Sequence, residues 1–283
     1  MTECRACPAC QGRRGRRAFD VDGFWMVRCP DCRTLFVDPK PDEALLAGMY
    51  ALEPDAGPDE LLGELPVRRA RHRARTLAGL GARRILEVGC GAGEFLDALR
   101  EQGLEAEGVE PGPAAAVAEA KGHRVHRCWI QQMPVPPVRY DAVVLWEVLE
   151  HLPEPGPELV RMQAFVRPQG VVAFSTPSLS GVPARVLGRR FPMINPPQHL
   201  TLFSKPGLWS LLRRADLPVT AWTSFSGLGM EQLARGFRKY VAGESSWARA
   251  AARVFAPLAW APARAMDLAG LGTEFEVYCR VRP

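Results

Sequence analysis

A short apolar run that ends in alternating glycines constrains the fold of this chain more than any other feature. Residues 84–88 (Arg-Ile-Leu-Glu-Val) have the composition of a buried β-strand. Glycines follow at every second position: Gly89, Gly91 and Gly93. An amphipathic run with helical spacing begins directly afterwards at Glu94. A strand, a glycine turn and a helix form the first βα unit of a doubly wound sheet, where backbone N–H groups approach a ligand.

The spacing of the glycines argues against a dinucleotide site. The dinucleotide fingerprint G-x-G-x-x-G requires a glycine three positions after its second glycine, and Glu94 occupies that position here. The observed pattern is E-x-G-x-G-x-G, running from Glu87 to Gly93. The turn therefore predicts a ligand at the carboxyl end of the strand without requiring a pyrophosphate.

Strands and helices alternate through most of the chain. The predicted strands are 84–89, 106–110, 124–127, 141–146, 171–175, 219–225 and 274–281. The predicted helices are 94–102, an alanine-rich run to residue 121, 157–166 and 206–215. Residues 167–170 are predicted as a turn and the proline-rich segment 181–204 as an ordered loop. This alternation predicts an α/β fold with a Rossmann-like, doubly wound, seven-stranded sheet.

Five of the eight cysteines lie within the first 32 residues. Four of them form two C-x-x-C pairs with 18 residues between the pairs: Cys7, Cys10, Cys29 and Cys32. This spacing is typical of a structural zinc ribbon, in which four thiolates surround the metal. A ribbon this small buries too little apolar surface to fold alone, so bound Zn²⁺ would supply the missing stability. Cys4 is an alternative ligand, and a redox or degenerate cluster is the competing interpretation.

The remaining segments give a four-part organisation. Residues 1–41 are predicted as the zinc ribbon, with strands at 24–28 and 34–37, and residues 42–80 as a helical linker or lid. The core is assigned to 81–227 and 271–283, and 228–270 to a helical insertion before the last strand. The insertion mixes tryptophans with arginines, which leaves a cap, a dimer face and peripheral membrane contact open.

Charge and composition set broader limits. The chain is 47% hydrophobic and 24% charged, as expected for a globular protein. It contains no apolar run long enough to span a membrane, and its first residues lack a signal-peptide core, so a cytoplasmic location is expected. Net charge is +5, with arginines clustered at 13–17 and 68–75. These clusters can contact phosphate, but a solvated helix face or a lid is the preferred interpretation.

Taken in order, the motifs resemble class I S-adenosylmethionine-dependent methyltransferases of the small-molecule type with an N-terminal zinc ribbon. The resemblance covers nearly the whole chain. It rests on the cysteine pairs with 35–39, on the glycine turn, and on segments 108–111, 140–144, 147–152, 166–170 and 197–204. The order of these segments carries the resemblance, because each alone is weak.

The resemblance implies a set of cofactor-binding residues. Those expected around the methionine part are Glu87, Gly89, Cys90, Gly91 and Gly93. Glu110 would accept hydrogen bonds from the ribose hydroxyls, and Pro111 would flank the adenine. Those expected near the reacting methyl group are Leu145, Trp146 and Glu147. The family often has an acid after its third strand. Residues 128–131 replace it here, so Trp129 is expected to stack on the adenine or Gln131 to bond it.

Methyl transfer from a sulfonium is an in-line displacement, for which the protein mainly supplies alignment. A base is required only when the acceptor must lose a proton, and His151 and His199 are the candidates near strand ends. The competing interpretation of His151 is structural packing. For His199 the alternatives are substrate binding and a loop-anchoring hydrogen bond.

The expected function is methyl transfer to a small-molecule or lipid-linked metabolite at O, N or C. One alternative is a zinc-ribbon ribosomal RNA (guanine) methyltransferase, which the arginine clusters would suit. Segments 150–152 and 198–200 disfavour nucleic acid, because they resemble the small-molecule branch. A second alternative is a non-catalytic scaffold protein that binds S-adenosylmethionine. The oligomeric state is left open.

Overall fold

The computed structural model describes residues 5–52, 65–226 and 246–283. Within them the strands are β1 Arg16–Val21, β2 Phe24–Arg28, β3 Leu35–Val37, β4 Arg84–Val88, β5 Glu105–Val109, β6 Arg124–His126, β7 Tyr140–Trp146, β8 Val166–Pro177, β9 Thr201–Leu202, β10 Val219–Phe225 and β11 Glu274–Arg280. The α-helices are α1 Glu43–Leu52, α2 Leu65–Gly79, α3 Glu94–Glu101, α4 Ala115–Ala120, α5 Pro155–Gln163, α6 Val182–Leu187, α7 Lys205–Arg214 and α8 Ser246–Leu268. Short 3₁₀ helices cover Leu149–His151 and Gly188–Arg190.

Seven strands form the main sheet in the order β10-β11-β8-β7-β4-β5-β6. The five strands from β8 to β6 are parallel, whereas β11 is antiparallel to both β8 and β10. Glu87 of β4 pairs with Gly108 of β5 on one side and Val144 of β7 on the other. The carboxyl ends of these strands therefore meet at one edge, where ligands bind in such sheets. The predicted doubly wound seven-stranded fold is confirmed.

Both faces of this sheet are covered by apolar packing. Ala142 and Val144 of β7 belong to one buried cluster, whereas Val143 and Leu145 belong to the other. This is why β7 has a continuous apolar sequence instead of alternating with polar residues.

A second sheet joins the cysteine-rich segment to the core. Its order is β1-β2-β3-β9, and β9 pairs with β3 through Leu35–Leu202 and Phe36–Thr201. Cys7 and Cys29 lie in the same buried cluster as Phe203. The ribbon strands predicted at 24–28 and 34–37 agree with β2 and β3, whereas β1 and β9 were not predicted.

The predicted loop 181–204 is wrong over part of its length, because α6, the following 3₁₀ helix and β9 lie within it. Proline suits the first turn of a helix, where its missing N–H is not required, and α6 has a proline there. The Val182 N–H donates to the Leu271 carbonyl at 2.9 Å. A Cβ added to Gly181 would lie 2.0 Å from the Gly272 carbonyl oxygen. Contact with the turn before β11 therefore orders this segment.

The predicted turn at 167–170 is also wrong, since these residues belong to β8. The pairing of β8 with β7 shifts register between Tyr140 and Ala142. A Cβ on Gly170 would lie 2.7 Å from the Asp141 carbonyl oxygen, so the strands approach closely at this irregularity. Helix α5 starts two residues earlier than predicted and ends at Gln163.

Helix α8 forms the described part of the predicted insertion. Ser224 Oγ donates to the Asp267 carbonyl at 2.8 Å, which ties the end of α8 to β10. Several large apolar side chains of α8 are exposed, including Trp247, Leu258 and Trp260. Among the described residues, no helix is long and apolar enough to cross a membrane. Residues 53–64 of the predicted linker or lid and 228–245 of the predicted insertion lie outside the described residues.

Candidate active site

The glycine turn lies at the carboxyl end of β4. Gly89, Gly91 and Gly93 all have positive φ, at 74°, 50° and 84°, a region that side chains rarely adopt. A Cβ on Gly89 would lie 2.5 Å from Val148 Cγ2, so Gly89 also permits close packing against the segment after β7. No described atom lies within 4 Å of a Cβ placed on Gly91. The backbone at Gly91 is therefore accessible to a ligand.

Glu110 directly follows strand β5 and contacts the same turn. Glu110 Oε2 accepts a hydrogen bond from the Gly91 N–H at 3.1 Å, and Oε1 accepts one from the Gly112 N–H at 2.7 Å. The carboxylate thus bridges the loops that follow β4 and β5. An acid in this position is suited to a ribose diol.

Two buried groups with unsatisfied polar atoms lie near the glycine turn. Glu87 is 4% exposed, and its Oε2 has no hydrogen-bond partner among the described residues. Burial raises the pKa of Glu87 well above its usual range, with Arg73 opposing this shift. Arg73 Cζ lies 3.9 Å from the centroid of the Trp146 ring, and Arg73 Nη2 also lacks a partner. A buried carboxyl group and a buried guanidinium group therefore each keep one polar atom available to bind a ligand.

The solvated-face interpretation of the α2 arginines is wrong for Arg69 and Arg73. Their side chains are only 15% and 8% exposed. Ala70, Ala74 and Leu77 share the buried face of α2 with Arg73. The sequence signal was present, since Arg73 has helical spacing with these apolar residues, but it was obscured by the neighbouring exposed arginines.

Glu276 of β11 holds both arginines. Glu276 Oε2 lies 2.9 Å from Arg73 Nε and 3.4 Å from Arg69 Nε, and Tyr278 donates to Oε1 at 2.8 Å. Arg69 also pairs with Glu274. Burial disfavours the charged form of Glu276, but Arg73 and Arg69 outweigh it and hold its pKa below the usual range.

Glu276→Gln should destabilise the protein by about 3–5 kcal/mol at pH 7, because it leaves buried arginine charge uncompensated. The depressed pKa of Glu276 means that its contribution is present above pH 4.5, the ordinary value, and is lost as the pH falls through the folded-state pKa. Urea unfolding at pH 7 and at acid pH measures both effects. Glu101→Gln, which breaks an exposed pair with Arg71, is the control and should leave the stability nearly unchanged. Equal losses in both variants would contradict the prediction.

The carboxyl end of β7 carries Glu147 in a left-handed conformation, with φ 55°. Its backbone N–H donates to Ser175 Oγ at 3.1 Å. Burial raises the pKa of Glu147 to about 8, with Glu274 adding to the shift and Arg69 opposing it. Glu147 therefore lies beside the buried arginines, at the expected end of the sheet.

The structure brings together His151 and His199, which are distant in the sequence. Their rings are perpendicular, at 89°, with centroids 4.8 Å apart. His199 Nδ1 donates to the Met193 carbonyl at 2.7 Å, which leaves the lone pair on Nε2. Burial, with repulsion from His199, lowers the pKa of His151 to about 3, and burial also lowers the pKa of His199. Both imidazoles are therefore neutral at pH 7.

The cysteine-rich sheet positions the histidine-bearing loop. The Val37 N–H of β3 donates to the Leu200 carbonyl at 3.0 Å, and the Leu200 N–H donates to the Glu150 carbonyl at 2.9 Å. Leu200 thus links the ribbon strand to the 3₁₀ helix that carries His151. His199 has the anchoring hydrogen bond that the sequence offered as an alternative, but it also faces His151.

Other expected cofactor residues differ in what their side chains can do. Leu145 is fully buried in the apolar core, so its side chain packs there instead of lining an open site. Cys90 Sγ packs under β5, 2.4 Å from where a Gly108 Cβ would lie. Gln131 donates to Glu158, which leaves Trp129 as the candidate neighbour of an adenine. Pro111 directly follows Glu110 and is half-exposed.

The four ribbon cysteines converge as their spacing predicted. Sγ–Sγ distances are 3.7 Å for Cys7–Cys32 and 3.5 Å for Cys10–Cys29, and all four sulfurs lie within 4.8 Å of one another. Tetrahedral zinc with bonds of about 2.3 Å requires sulfurs about 3.8 Å apart. The cluster fits a zinc ribbon. Cys4 lies outside the described residues.

Comparison with known proteins identifies the fold and family. Residues 59–221 match the family described as methyltransferase domain. The ubiquinone biosynthesis O-methyltransferase of Bradyrhizobium diazoefficiens is 34% identical over 115 residues, or 38% of this chain and 46% of that protein. The protein of the same name from Acinetobacter baumannii is 29% identical over 143 residues, or 47% of this chain and 59% of that protein. The match spans about half the length of these relatives.

A solved structure resembles the whole fold. The 1,6-didemethyltoxoflavin-N1-methyltransferase of Burkholderia thailandensis, with bound S-adenosylhomocysteine, aligns with a TM-score of 0.56 at 17% identity. The alignment covers 94% of this chain and 99% of that one. The fold and the glycine turn are those of class I S-adenosylmethionine-dependent methyltransferases. The chain belongs to the methyltransferase domain family.

Proposed function

We propose that this protein transfers the methyl group of S-adenosylmethionine to an oxygen atom of a small-molecule or lipid-linked acceptor. The observation that carries the proposal is the meeting of His151 and His199, whose ring centroids lie 4.8 Å apart in the segments just beyond β7. The glycine turn and Glu110 lie at the same edge of the sheet, so a cofactor site and an acceptor site adjoin. The name of the curated relatives, ubiquinone biosynthesis O-methyltransferase, supports an oxygen acceptor. Those relatives lend no support to the RNA or scaffold alternatives.

Each part of the cofactor has a matching group in the chain. Glu110 would accept hydrogen bonds from the ribose, and Trp129 and Pro111 would flank the adenine. At the methionine end, Arg73 Nη2 would donate to the carboxylate and Glu87 Oε2 would accept from the ammonium. Because both atoms are buried without partners, a zwitterion would satisfy them together. S-adenosylmethionine, when bound, supplies a methyl group already activated on a sulfonium sulfur.

A hydroxyl acceptor must lose its proton as it is methylated. The hydrogen bond from His199 Nδ1 to Met193 fixes the ring and keeps the Nε2 lone pair available. The low pKa of His151 keeps that ring uncharged beside it. We infer that the acceptor proton leaves at these paired histidines, a step that typically contributes 10²–10⁴-fold to a rate.

Structural zinc and a cytoplasmic location complete the proposal. Cys7, Cys10, Cys29 and Cys32 would hold Zn²⁺ in a closed site, which serves stability instead of catalysis. The described cysteines are all free thiols, which suits a reducing compartment. Peripheral membrane contact, a cap and a dimer face remain the hypotheses for the exposed apolar residues of α8.

Transfer of a radiolabelled methyl group tests the reaction. We expect label from S-adenosylmethionine to enter the low-mass or lipid fraction of a cell extract, and not total RNA incubated in parallel. His199→Ala should slow this transfer by about 10²–10⁴-fold, with S-adenosylhomocysteine affinity nearly unchanged. His72→Ala, an exposed histidine on α2, is the control and should transfer normally.

Two other outcomes would replace the proposal. Label in RNA would favour the ribosomal RNA alternative. Tight binding of S-adenosylhomocysteine without transfer to any fraction would favour a scaffold protein.

A further inference from the structure

We propose that Glu150, His151 and His199 bind a divalent transition-metal ion that holds the acceptor oxygen. One ligand atom from each residue lies within 4.8 Å of the others. Ligands bound at about 2.1 Å to one ion are separated by about 3–4 Å, so small side-chain movements would close the site. The role assigned to the ion rests on the proposed function, whereas the binding site itself does not.

Glu150 is the strongest indication of a missing cation. The residue is fully buried. Thr176 Oγ1 donates to its Oε2 at 2.9 Å, but Oε1 has no hydrogen-bond partner among the described residues. This Oε1 lies 3.9 Å from His151 Nε2. A carboxylate oxygen removed from water and left unpartnered is costly, and a metal ion beside it would offset that cost.

His199 is oriented as metal-binding histidines usually are. One ring nitrogen donates to a backbone carbonyl, here from Met193, which fixes the tautomer and leaves the other nitrogen as a ligand. The perpendicular arrangement with His151 allows both rings to direct a nitrogen toward one point. The Leu200 N–H bond to the Glu150 carbonyl holds the two segments together. The hydrogen bonds that would hold the ligands of a metal site in position are therefore present.

Charges around the cluster also favour a cation. Glu147 lies three residues before Glu150, and its Oε1 is likewise buried with no hydrogen-bond partner among the described residues. Arg69 and Arg73 are already engaged by Glu274 and Glu276. The carboxylates at the end of β7 thus exceed the cations available to them among the described residues. A divalent ion would balance this excess.

The donor set indicates the kind of metal and its role. Two imidazoles and one carboxylate suit Mn²⁺, Fe²⁺ or Zn²⁺ better than Ca²⁺, and they leave coordination positions open. With both imidazoles bound to the ion, an acceptor hydroxyl in such a position would give its proton to solvent instead of to His199, because the metal would stabilise the oxyanion. The oxygen lone pair then forms the bond to the methyl carbon. The carbon–sulfur bond breaks with its electrons on sulfur, giving S-adenosylhomocysteine.

Titration of the full chain with Mn²⁺, followed by electron paramagnetic resonance, tests the site directly. Mn²⁺ distinguishes it from the cysteine cluster, since thiolates select softer metals. We expect one bound Mn²⁺ per chain with the zinc content of the ribbon unchanged. Glu150→Gln and His199→Gln should each weaken Mn²⁺ binding by at least about 100-fold. His72→Gln should bind Mn²⁺ as the unaltered chain does.

Control measurements separate binding from folding and from catalysis. Thermal unfolding and zinc content should show that Glu150→Gln and His199→Gln remain folded. If no Mn²⁺, Fe²⁺ or Zn²⁺ binds beyond the cysteine cluster, or if both variants bind Mn²⁺ normally, the metal site is wrong. Methyl transfer by chelated, Mn²⁺-free protein would overturn the role of the metal and leave the proposed function standing. Mn²⁺ binding without methyl transfer would support the metal site and overturn the proposed function.

Discussion

Cys29→Ser is expected to release zinc and to unfold the protein or sharply lower its melting temperature. Structural zinc contributes about 10–16 kcal/mol in small zinc domains, which is as large as the whole stability of a typical protein. The loss should not stay within the ribbon, because Cys29 lies in the same buried cluster as core residues and β3 pairs with β9. Zinc content by mass spectrometry and calorimetric unfolding measure the effect.

Cys128→Ser is the matched control for this substitution. Cys128 is a half-buried thiol outside the four-cysteine cluster, so its replacement should change stability by less than about 1 kcal/mol. Full zinc occupancy and unchanged unfolding in Cys29→Ser would show that the cluster does not hold a structural metal.

Glu110→Ala is expected to raise the dissociation constant for S-adenosylhomocysteine by about 10²–10⁴-fold. Two hydrogen bonds from the ribose to a carboxylate contribute about 1.5–3 kcal/mol each, and every 1.4 kcal/mol is a tenfold change in affinity. The substitution also removes the bonds from Glu110 to the Gly91 and Gly112 N–H groups, which loosens the turn. Isothermal titration calorimetry measures the affinity.

Glu105→Ala removes an exposed acid at the start of β5, the strand that Glu110 directly follows, and should leave the affinity unchanged. Glu110→Gln keeps the size of the side chain and should give an intermediate loss. A dissociation constant within threefold of the unaltered chain in Glu110→Ala would contradict the assignment of Glu110 to the ribose.

The elements that followed correctly from the sequence are those with a strong local signal. Strand β10 has the bounds predicted for it, and β7 differs by a single residue, because the apolar run of β7 is buried on both faces. The misassigned segment 181–204 is locally proline-rich, and its helix and strand depend on contacts with distant residues such as Leu271 and Leu35. A local sequence pattern does not indicate contacts with residues that are distant in the chain.

The candidate site divides in the same way. The place of Glu110 beside the glycine turn followed from the family resemblance and from the βα order, which puts the two loops at one edge of the sheet. Arg73 was missed, because its helical spacing with the apolar residues of α2 is obscured among five similar arginines in 68–75.

By itself, the sequence determined the doubly wound sheet, the glycine turn and the cysteine pairs, because these depend on backbone conformation and on spacing within short segments. Only the tertiary structure decided that His199 meets His151. It also decided that Glu150 is buried, with one carboxylate oxygen bonded to Thr176 and the other without a partner among the described residues. The physical reason is that burial and the meeting of side chains depend on long-range packing. Here the cysteine-rich sheet supplies this packing, because Val37 of β3 binds Leu200, and Leu200 in turn binds Glu150 in the 3₁₀ helix after β7.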